Sequence, residues 1–161
     1  MNTEMKNHVI KLLDSYPERA RQIALLRYEL AHPAQITGDE LIEAMNYARP
    51  EGQGHPSGHI SNRTLYIALN YQERAERLND EAFGDISARL AEMEREQSRL
   101  EYYMSLLDRR QELVLRRTCF EKVQQEKVAR ELEVSVRRVQ DIKAQAIDAL
   151  AEMYGFTAEL R

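Results

Sequence analysis

The chain has 161 residues, of which 31% are charged and 43% hydrophobic, and its net charge is -4. This length suits one ordinary domain or two small ones, and the composition is too apolar for a disordered chain and too polar for a membrane protein. The acidic balance argues against binding to nucleic acid through bulk charge. No apolar stretch is long enough to span a bilayer, no export signal is visible, and the single cysteine, Cys119, fits a reducing compartment, so we expect a cytoplasmic protein.

The amino-terminal region, residues 1–48, is predicted to be helical. A first helix is expected from about Thr3 to Asp14, with an apolar face typical of a helix packed on a core. Ser15 lies three residues before Glu18, which is the spacing of a capping box and predicts that Ser15 caps a second helix. Thr37-Gly-Asp-Glu40 has the same spacing and predicts the start of a short third helix.

Residues 49–60 are rich in Gly and Pro and are predicted to form a loop, after which residues 61–104 are predicted to form long helices, the first capped by Ser61. The later helix carries a heptad seam, which consists of Ile86, Leu90, Met93, Gln97, Leu100, Met104 and Leu107. Such a seam indicates either a helical hairpin with residues 62–79 or a homodimer through residues 61–107. In either case a buried Gln97 would fix the register.

Residues 105–154 carry the strongest functional signal, and residues 155–161 are read as a tail. The apolar residues of the window that begins at Gln125 occupy positions four, eight, ten, fifteen and eighteen, and they are Val128, Leu132, Val134, Val139 and Ile142. Ala129 stands where two crossing helices approach each other closely. This spacing predicts a helix-turn-helix, whose second helix lies in the major groove of DNA.

The start of the second helix is the candidate DNA-reading surface. Ser135 is expected to cap this helix, and amides at the helix start favour a phosphate there. The predicted DNA-binding residues are Ser135, Val136, Arg137, Arg138, Gln140, Asp141 and Lys143. Arg137 and Gln140 are the candidates for contact with base edges, whereas Asp141 either accepts a hydrogen bond from cytosine or, as we expect, holds Arg137 or Arg138 in place.

At these residues the chain resembles region 4 of the sigma-70 family. Residues 114–129 are similar to that family's first helix, its turn and the start of its supporting helix, and residues 139–150 are similar to its recognition helix. Glu133 and Lys122 stand where the family often has Gly, so Glu133 must adopt a left-handed conformation or reshape the turn. Gln124 stands where a Ser or Thr cap is frequent.

The resemblance implies an all-α fold with N-terminal helical hairpins and a long helix, followed by a C-terminal trihelical helix-turn-helix domain. The layout is also similar to phage transcription regulators of the ArpU and RinA type. We therefore expect a phage or prophage regulator that binds double-stranded DNA, with RNA polymerase as a further partner and no membrane association. The alternatives are a DNA-packaging component of the small-terminase kind and an adaptor that binds RNA polymerase.

The charge distribution and the reactive side chains of the sequence indicate a protein that is not an enzyme. Residues 105–150 hold ten Lys and Arg against eight Asp and Glu, a net charge of +2, whereas residues 1–104 hold 12 against 17, a net charge of -5. His55 and His59 lie in the Gly/Pro loop without a Cys or carboxylate pair that would complete a metal site. Cys119 lacks a positioned His and is read as a buried apolar residue. No enzyme, cofactor or metal site is predicted.

Overall fold

The computed structural model describes residues 2–33, 37–40 and 62–161, with side chains throughout except at residues 62–69. Every regular element in these ranges is helical, which confirms the all-α prediction. The helices are α1 (Asn2–Asp14), α2 (Tyr16–Ala31), α3 (Asn62–Ser105), α4 (Arg109–Leu115), α5 (Gln125–Leu132) and α6 (Val136–Ala158), and residues Arg116–Phe120 extend α4 as a π-helical turn. None of the described helices is both long enough and apolar enough to cross a bilayer.

A single residue, Ser15, separates α1 from α2. Its hydroxyl donates to the Lys11 carbonyl oxygen at 2.6 Å and accepts from the Arg19 guanidinium at 3.0 Å. The Ser15 amide also bonds to the Lys11 carbonyl at 3.0 Å, so the chain still follows the hydrogen-bond register of α1 at this residue. The prediction that Ser15 caps α2 is therefore wrong, because its hydroxyl bonds back to the preceding turn.

Helix α3 is continuous over its 44 residues. The predicted hairpin between residues 62–79 and the seam helix is therefore wrong, since both segments belong to α3. The only helix breaker between them is Gly84, and a single Gly weakens a helix by about 1 kcal/mol without ending it. An added Cβ at Gly84 would meet no atom within 4 Å, so no close packing requires a Gly at this position.

The carboxyl-terminal half of the heptad seam packs inside the chain. Leu100, Met104 and Leu107 are buried in a core formed with the apolar face of α1 and residues from Leu115 onward. The remaining buried members of this core are Val9, Leu12, Leu13, Leu115, Cys119, Ala146, Leu150, Ala151 and Tyr154. The seam is thus intramolecular, but it faces α1 and α6 and not residues 62–79. These three seam positions are not free to form the homodimer that the sequence left open.

A buried arginine connects α1, α2 and α3. Arg19 is 7% exposed, and its guanidinium donates to the Gln97 side-chain oxygen at 2.6 Å and to the Leu12 carbonyl oxygen at 2.8 Å, in addition to its bond with Ser15. A buried charge without such acceptors is costly. The bonds therefore hold the three helices in one register, which is the role that the seam predicted for Gln97.

A second polar contact joins α2, α3 and the π-helical turn. Tyr16 stacks on Phe120 with ring centroids 3.7 Å apart and donates a hydrogen bond to Glu101. Arg116 donates to the other Glu101 oxygen at 2.7 Å. Burial, and then Glu101, raise the pKa of Tyr16 to about 12. Burial opposes ionisation of Glu101, but the bonds from Arg116 and Tyr16 outweigh it and lower the pKa of this carboxyl group.

The chain divides into one compact unit of residues Met1–Leu25 and Ala91–Arg161, and another of residues Leu26–Leu90. The predicted boundaries at residues 48 and 105 therefore do not separate compact units, because α1 packs on α6. Residues 155–158, read as tail, belong to α6. Hydrophobic periodicity identifies a buried face, but it carries no information about which helix covers that face.

The unit of residues Leu26–Leu90 contains the predicted capping box. The Glu40 amide donates to the Thr37 hydroxyl at 3.2 Å, and the Thr37 amide donates to the Glu40 carboxylate at 3.0 Å. This reciprocal pair confirms the prediction and begins the helical residues 38–40. The predicted loop of residues 49–60 and the Ser61 cap lie outside the described residues.

Candidate nucleic-acid interface

A small apolar core holds α4, α5 and α6 together as a trihelical segment. Its buried residues are Val114, Val128, Ala129, Val139 and Ile142, and Val123, Leu132, Val134 and Val136 pack against them. The predicted inward-facing residues all belong to this core, including Ala129, which is 4% exposed and lies at the crossing of α5 with its neighbours. The segment is thus fixed by packing, and α5, a short turn and α6 follow one another as the sequence predicted.

Two residues of the trihelical segment adopt the left-handed conformation without being Gly. Lys122 has a φ of 55° and precedes α5, and Glu133 has a φ of 56° and ends it. At the second position the Val134 amide bonds to the Ala129 carbonyl at 3.0 Å, which closes the end of α5. Of the two alternatives that the sequence left open, Glu133 therefore adopts the left-handed conformation and not a reshaped turn, at a cost that a Gly would avoid.

Ser135 caps α6. Its hydroxyl accepts a hydrogen bond from the Arg138 amide at 3.1 Å, while its own backbone is extended, with a ψ of 158°. This geometry confirms the predicted cap and satisfies one of the amides that a helix start leaves free. Val139 and Ile142 bury the opposite face of the helix in the apolar core.

The predicted site residues differ in exposure. Ser135, Arg137, Arg138, Gln140 and Asp141 are exposed, Lys143 is half-buried, and all six lie on the first two turns of α6 or at its cap. Val136 was expected to point outward, but it is half-buried and packs against the apolar core. It is therefore a packing residue, because the first turn of α6 lies directly over the apolar turn that contains Val134.

Gln140 contacts a residue that the sequence analysis did not select. Its side-chain amide donates to the Gln125 side-chain oxygen at 3.1 Å, which links the start of α6 to the start of α5. Both amides keep further donors or acceptors, so together they present a hydrogen-bonding pair beside the arginines. The sequence signal for Gln125 was its place at the first position of the supporting helix.

Asp141 is not paired with the arginines that precede it. Neither Arg137 nor Arg138 forms an ion pair with any residue in the described ranges, although Asp141 lies one helical turn after Arg137. The reading of Asp141 as a residue that holds one of them in place is therefore wrong. Both guanidinium groups remain available to an external anion.

The ion pairs of the trihelical segment leave a surplus of positive charge. Arg117 pairs with Glu121 and Glu131, and this contact lowers the pKa of Glu131. The other pairs are Arg116 with Glu101 and Glu112, and Asp148 with Lys6. Residues 105–150 hold ten cations, of which eight have no ion pair within the described chain. They also hold eight carboxylates, of which four have no ion pair there. Four carboxylates but only two arginines of this segment take part in ion pairs, so the paired groups carry a negative charge and the net charge of the segment stays +2.

Cys119, His55 and His59 are the other residues whose side chains could act as nucleophiles or metal ligands. Cys119 is 2% exposed and packs in the core with α1 and α6, which confirms the interpretation as a buried apolar residue. His55 and His59 lie outside the described residues. Among the residues that the structure describes, no group of three or more His, Cys, Asp or Glu side chains is arranged to hold a metal ion.

Comparisons with models of protein families, with curated proteins and with solved structures found no match for this chain.

Proposed function

We propose that this chain is a DNA-binding transcription regulator of the phage or prophage kind, which inserts the first two turns of α6 into the major groove. The observation that carries the proposal is the surface at the start of α6, where Arg137 and Arg138 are exposed and unpaired beside the Gln125–Gln140 contact. Arginine and glutamine are the side chains that form bidentate contacts with guanine and adenine. The sequence resemblance to sigma region 4 supports the same assignment.

The packing of α6 supports its role as a recognition helix. Val139 and Ile142 lie on the buried face of the helix, Ser135 caps its first turn, and α5 packs against it. A recognition helix must be held rigidly, because a shift of the helix would misplace every base contact at once. The rigid elements at this surface therefore suit direct readout of bases.

Charge sets the expected strength of the interaction. Each phosphate that the protein neutralises contributes to affinity through release of counterions, so a surface with few free cations binds weakly at physiological salt. The net charge of +2 in residues 105–150 is spread over a whole trihelical segment. We therefore propose that a second contact, with another copy of the chain or with RNA polymerase, supplies the remaining affinity in the cytoplasm.

Replacing both arginines tests the assignment. In the double variant Arg137→Ala and Arg138→Ala we expect binding to duplex DNA, measured by fluorescence anisotropy, to be abolished at physiological salt. At low salt the magnitude of the slope of log K against log salt should decrease by about 0.9 for each of the two arginines that contacts a phosphate, because that contact releases counterions. The melting temperature should stay nearly unchanged, since both side chains are exposed and unpaired.

A matched control removes the same charge elsewhere. Arg89 and Arg95 are exposed residues of α3, so the double variant Arg89→Ala and Arg95→Ala has the same net charge as the test variant. It should bind DNA like the unaltered protein. Equal loss of binding in both variants, or unaltered binding in the α6 variant, would overturn the proposed role of α6.

A further inference from the structure

A cavity of about 490 Å³ lies within the unit of residues Met1–Leu25 and Ala91–Arg161, away from the candidate DNA surface. It is lined by α1, α3 and the last turns of α6, whereas the DNA surface is at the first turns of α6. Its volume falls in the lower half of the range of roughly 300–1,000 Å³ that is typical of small-molecule sites. The cavity is therefore large enough for a small organic ligand.

The charged side chains of this cavity form no ion pair or hydrogen bond within the described part of the chain. Glu96 and Arg99, three residues apart on α3, are half-buried in its wall, yet neither forms an ion pair or a hydrogen bond with the described residues. Glu4 and Arg161 contribute one further charge of each sign at its exposed edge and are likewise unpaired. The lining thus offers two carboxylates and two guanidinium groups and favours a ligand that carries both signs of charge.

The remaining wall of the cavity is mostly apolar, with His8 and Thr157 as its further polar residues. Met5 and Leu12 line the cavity from α1, and the Tyr154 ring lines it from α6. His8 meets the Tyr154 ring edge-on at 5.9 Å, and the Tyr154 hydroxyl is buried without a hydrogen-bond partner among the described residues. Because this hydroxyl is itself buried, a guest in the cavity would meet the ring of Tyr154 and not its oxygen.

We propose that this cavity binds a small zwitterion with an apolar body, of the size of a free amino acid with a large side chain. Arg99 binds the carboxylate, Glu96 binds the ammonium group, and the apolar body lies on Leu12, Met5 and the Tyr154 ring. Arg99 and Glu96 lie on the same side of α3 because residues three apart are neighbours on a helix. This proposal does not depend on DNA binding, because the two sites share no residue.

Thermal unfolding of the full chain with defined probes tests the proposal. The probes are L-phenylalanine, L-tryptophan, L-methionine and L-leucine, each compared with its N-acetyl and its carboxamide derivative, which lack one of the two charges. At a concentration about ten times Kd, at least one free amino acid should raise Tm by about 3 to 5 °C. The corresponding derivatives should leave Tm unchanged.

Variants of the two half-buried charges complete the test. Arg99→Gln and Glu96→Gln should each abolish the ligand-induced shift without lowering the Tm of the free protein, because neither side chain forms an ion pair or hydrogen bond with the residues that the structure describes. Arg95→Gln, an exposed residue of the same helix, should keep the shift. The proposal is overturned if no probe raises Tm, if the derivatives act like the free amino acids, or if the shift survives in both Arg99→Gln and Glu96→Gln; the cavity then holds water only.

Discussion

Glu133 and Lys122 occupy the two left-handed positions of the trihelical segment, with φ values of 56° and 55°. A side chain in this conformation brings Cβ close to the following carbonyl oxygen, which Gly avoids. Glu133 is exposed and has no ion pair within the described chain, so its side chain offers nothing that compensates for this strain. The left-handed conformation of Glu133 therefore destabilises the turn between α5 and α6.

Replacing Glu133 by Gly should stabilise the protein. We expect Glu133→Gly to raise the free energy of unfolding by about 1 kcal/mol in urea denaturation, because relief of the left-handed strain exceeds the added entropy of the unfolded chain. The control is Glu126→Gly, which makes the same change at an ordinary position of α5 and should lower this free energy by about 1 kcal/mol. A decrease of similar size in both variants would contradict the account of the turn.

Ser15 and Ser135 show how much a local sequence pattern can predict about a helix cap. Ser135 follows a left-handed residue and a turn, so its extended backbone lets the hydroxyl accept the Arg138 amide as predicted. Ser15 has an equally good capping pattern, but α1 ends only at Asp14, and the hydroxyl bonds back to Lys11. Ser15 even has a Glu three residues on, which Ser135 lacks, so the preceding backbone and not the local pattern separated the two outcomes.

The same limit applies to pairs of side chains. Arg19 could not be identified as buried from the sequence, because its burial depends on acceptors contributed by α1, Ser15 and α3 together. The contact between Gln125 and Gln140 joins residues 15 positions apart on two helices. The candidate site was thus predictable residue by residue on α6, whereas its neighbour on α5 and the inward position of Val136 required the packed structure.

Among the helices, α3 shows what a heptad pattern determines. The spacing correctly predicted a long helix with one buried face, and Leu100 and Met104 are fully buried on it. The pattern could not identify the helix that covers this face, because α1 and the second helix of a hairpin would each offer a suitable apolar face. Continuity through Gly84 was also beyond the pattern, because a single Gly can end a helix or lie within it.

The contact between Glu101, Arg116 and Tyr16 should make stability depend on pH. The folded protein holds the pKa of Glu101 below its usual value of 4.5, so the unfolded chain binds more protons near that pH. This contribution to stability is present above pH 4.5 and is lost as the pH falls through the lower, folded pKa. Acidification below about pH 5 should therefore weaken the link between α3 and the π-helical turn.

A Glu101→Gln variant isolates this contribution. Its Tm should be lower than that of the unaltered protein at pH 7, and the difference should shrink as the pH falls from 5 to 3, measured by circular dichroism. Glu92→Gln, at an exposed position of the same helix, is the control. If the Tm difference for Glu101→Gln is constant over this pH range, the carboxylate does not contribute through its charge.

For the molecule as a whole, the oligomeric state separates the proposed regulator from a packaging component. Half of the heptad seam is buried within the chain, which leaves less apolar surface for a multi-subunit ring. We expect light scattering on the purified protein to give the mass of one or two chains of 18.8 kDa. A mass of many subunits would favour the small-terminase kind of protein over the regulator.

The central claim is that α6 recognises a particular DNA sequence, and selection of bound duplexes from a randomised library tests it most directly. The account predicts that the unaltered protein enriches one motif and binds it at least about tenfold more tightly than a shuffled duplex, since each wrong base pair costs about 1 to 3 kcal/mol. It also predicts that the Arg137→Ala and Arg138→Ala variant enriches no motif. Absence of any enriched motif with the unaltered protein, or the same motif with the variant, would contradict the account.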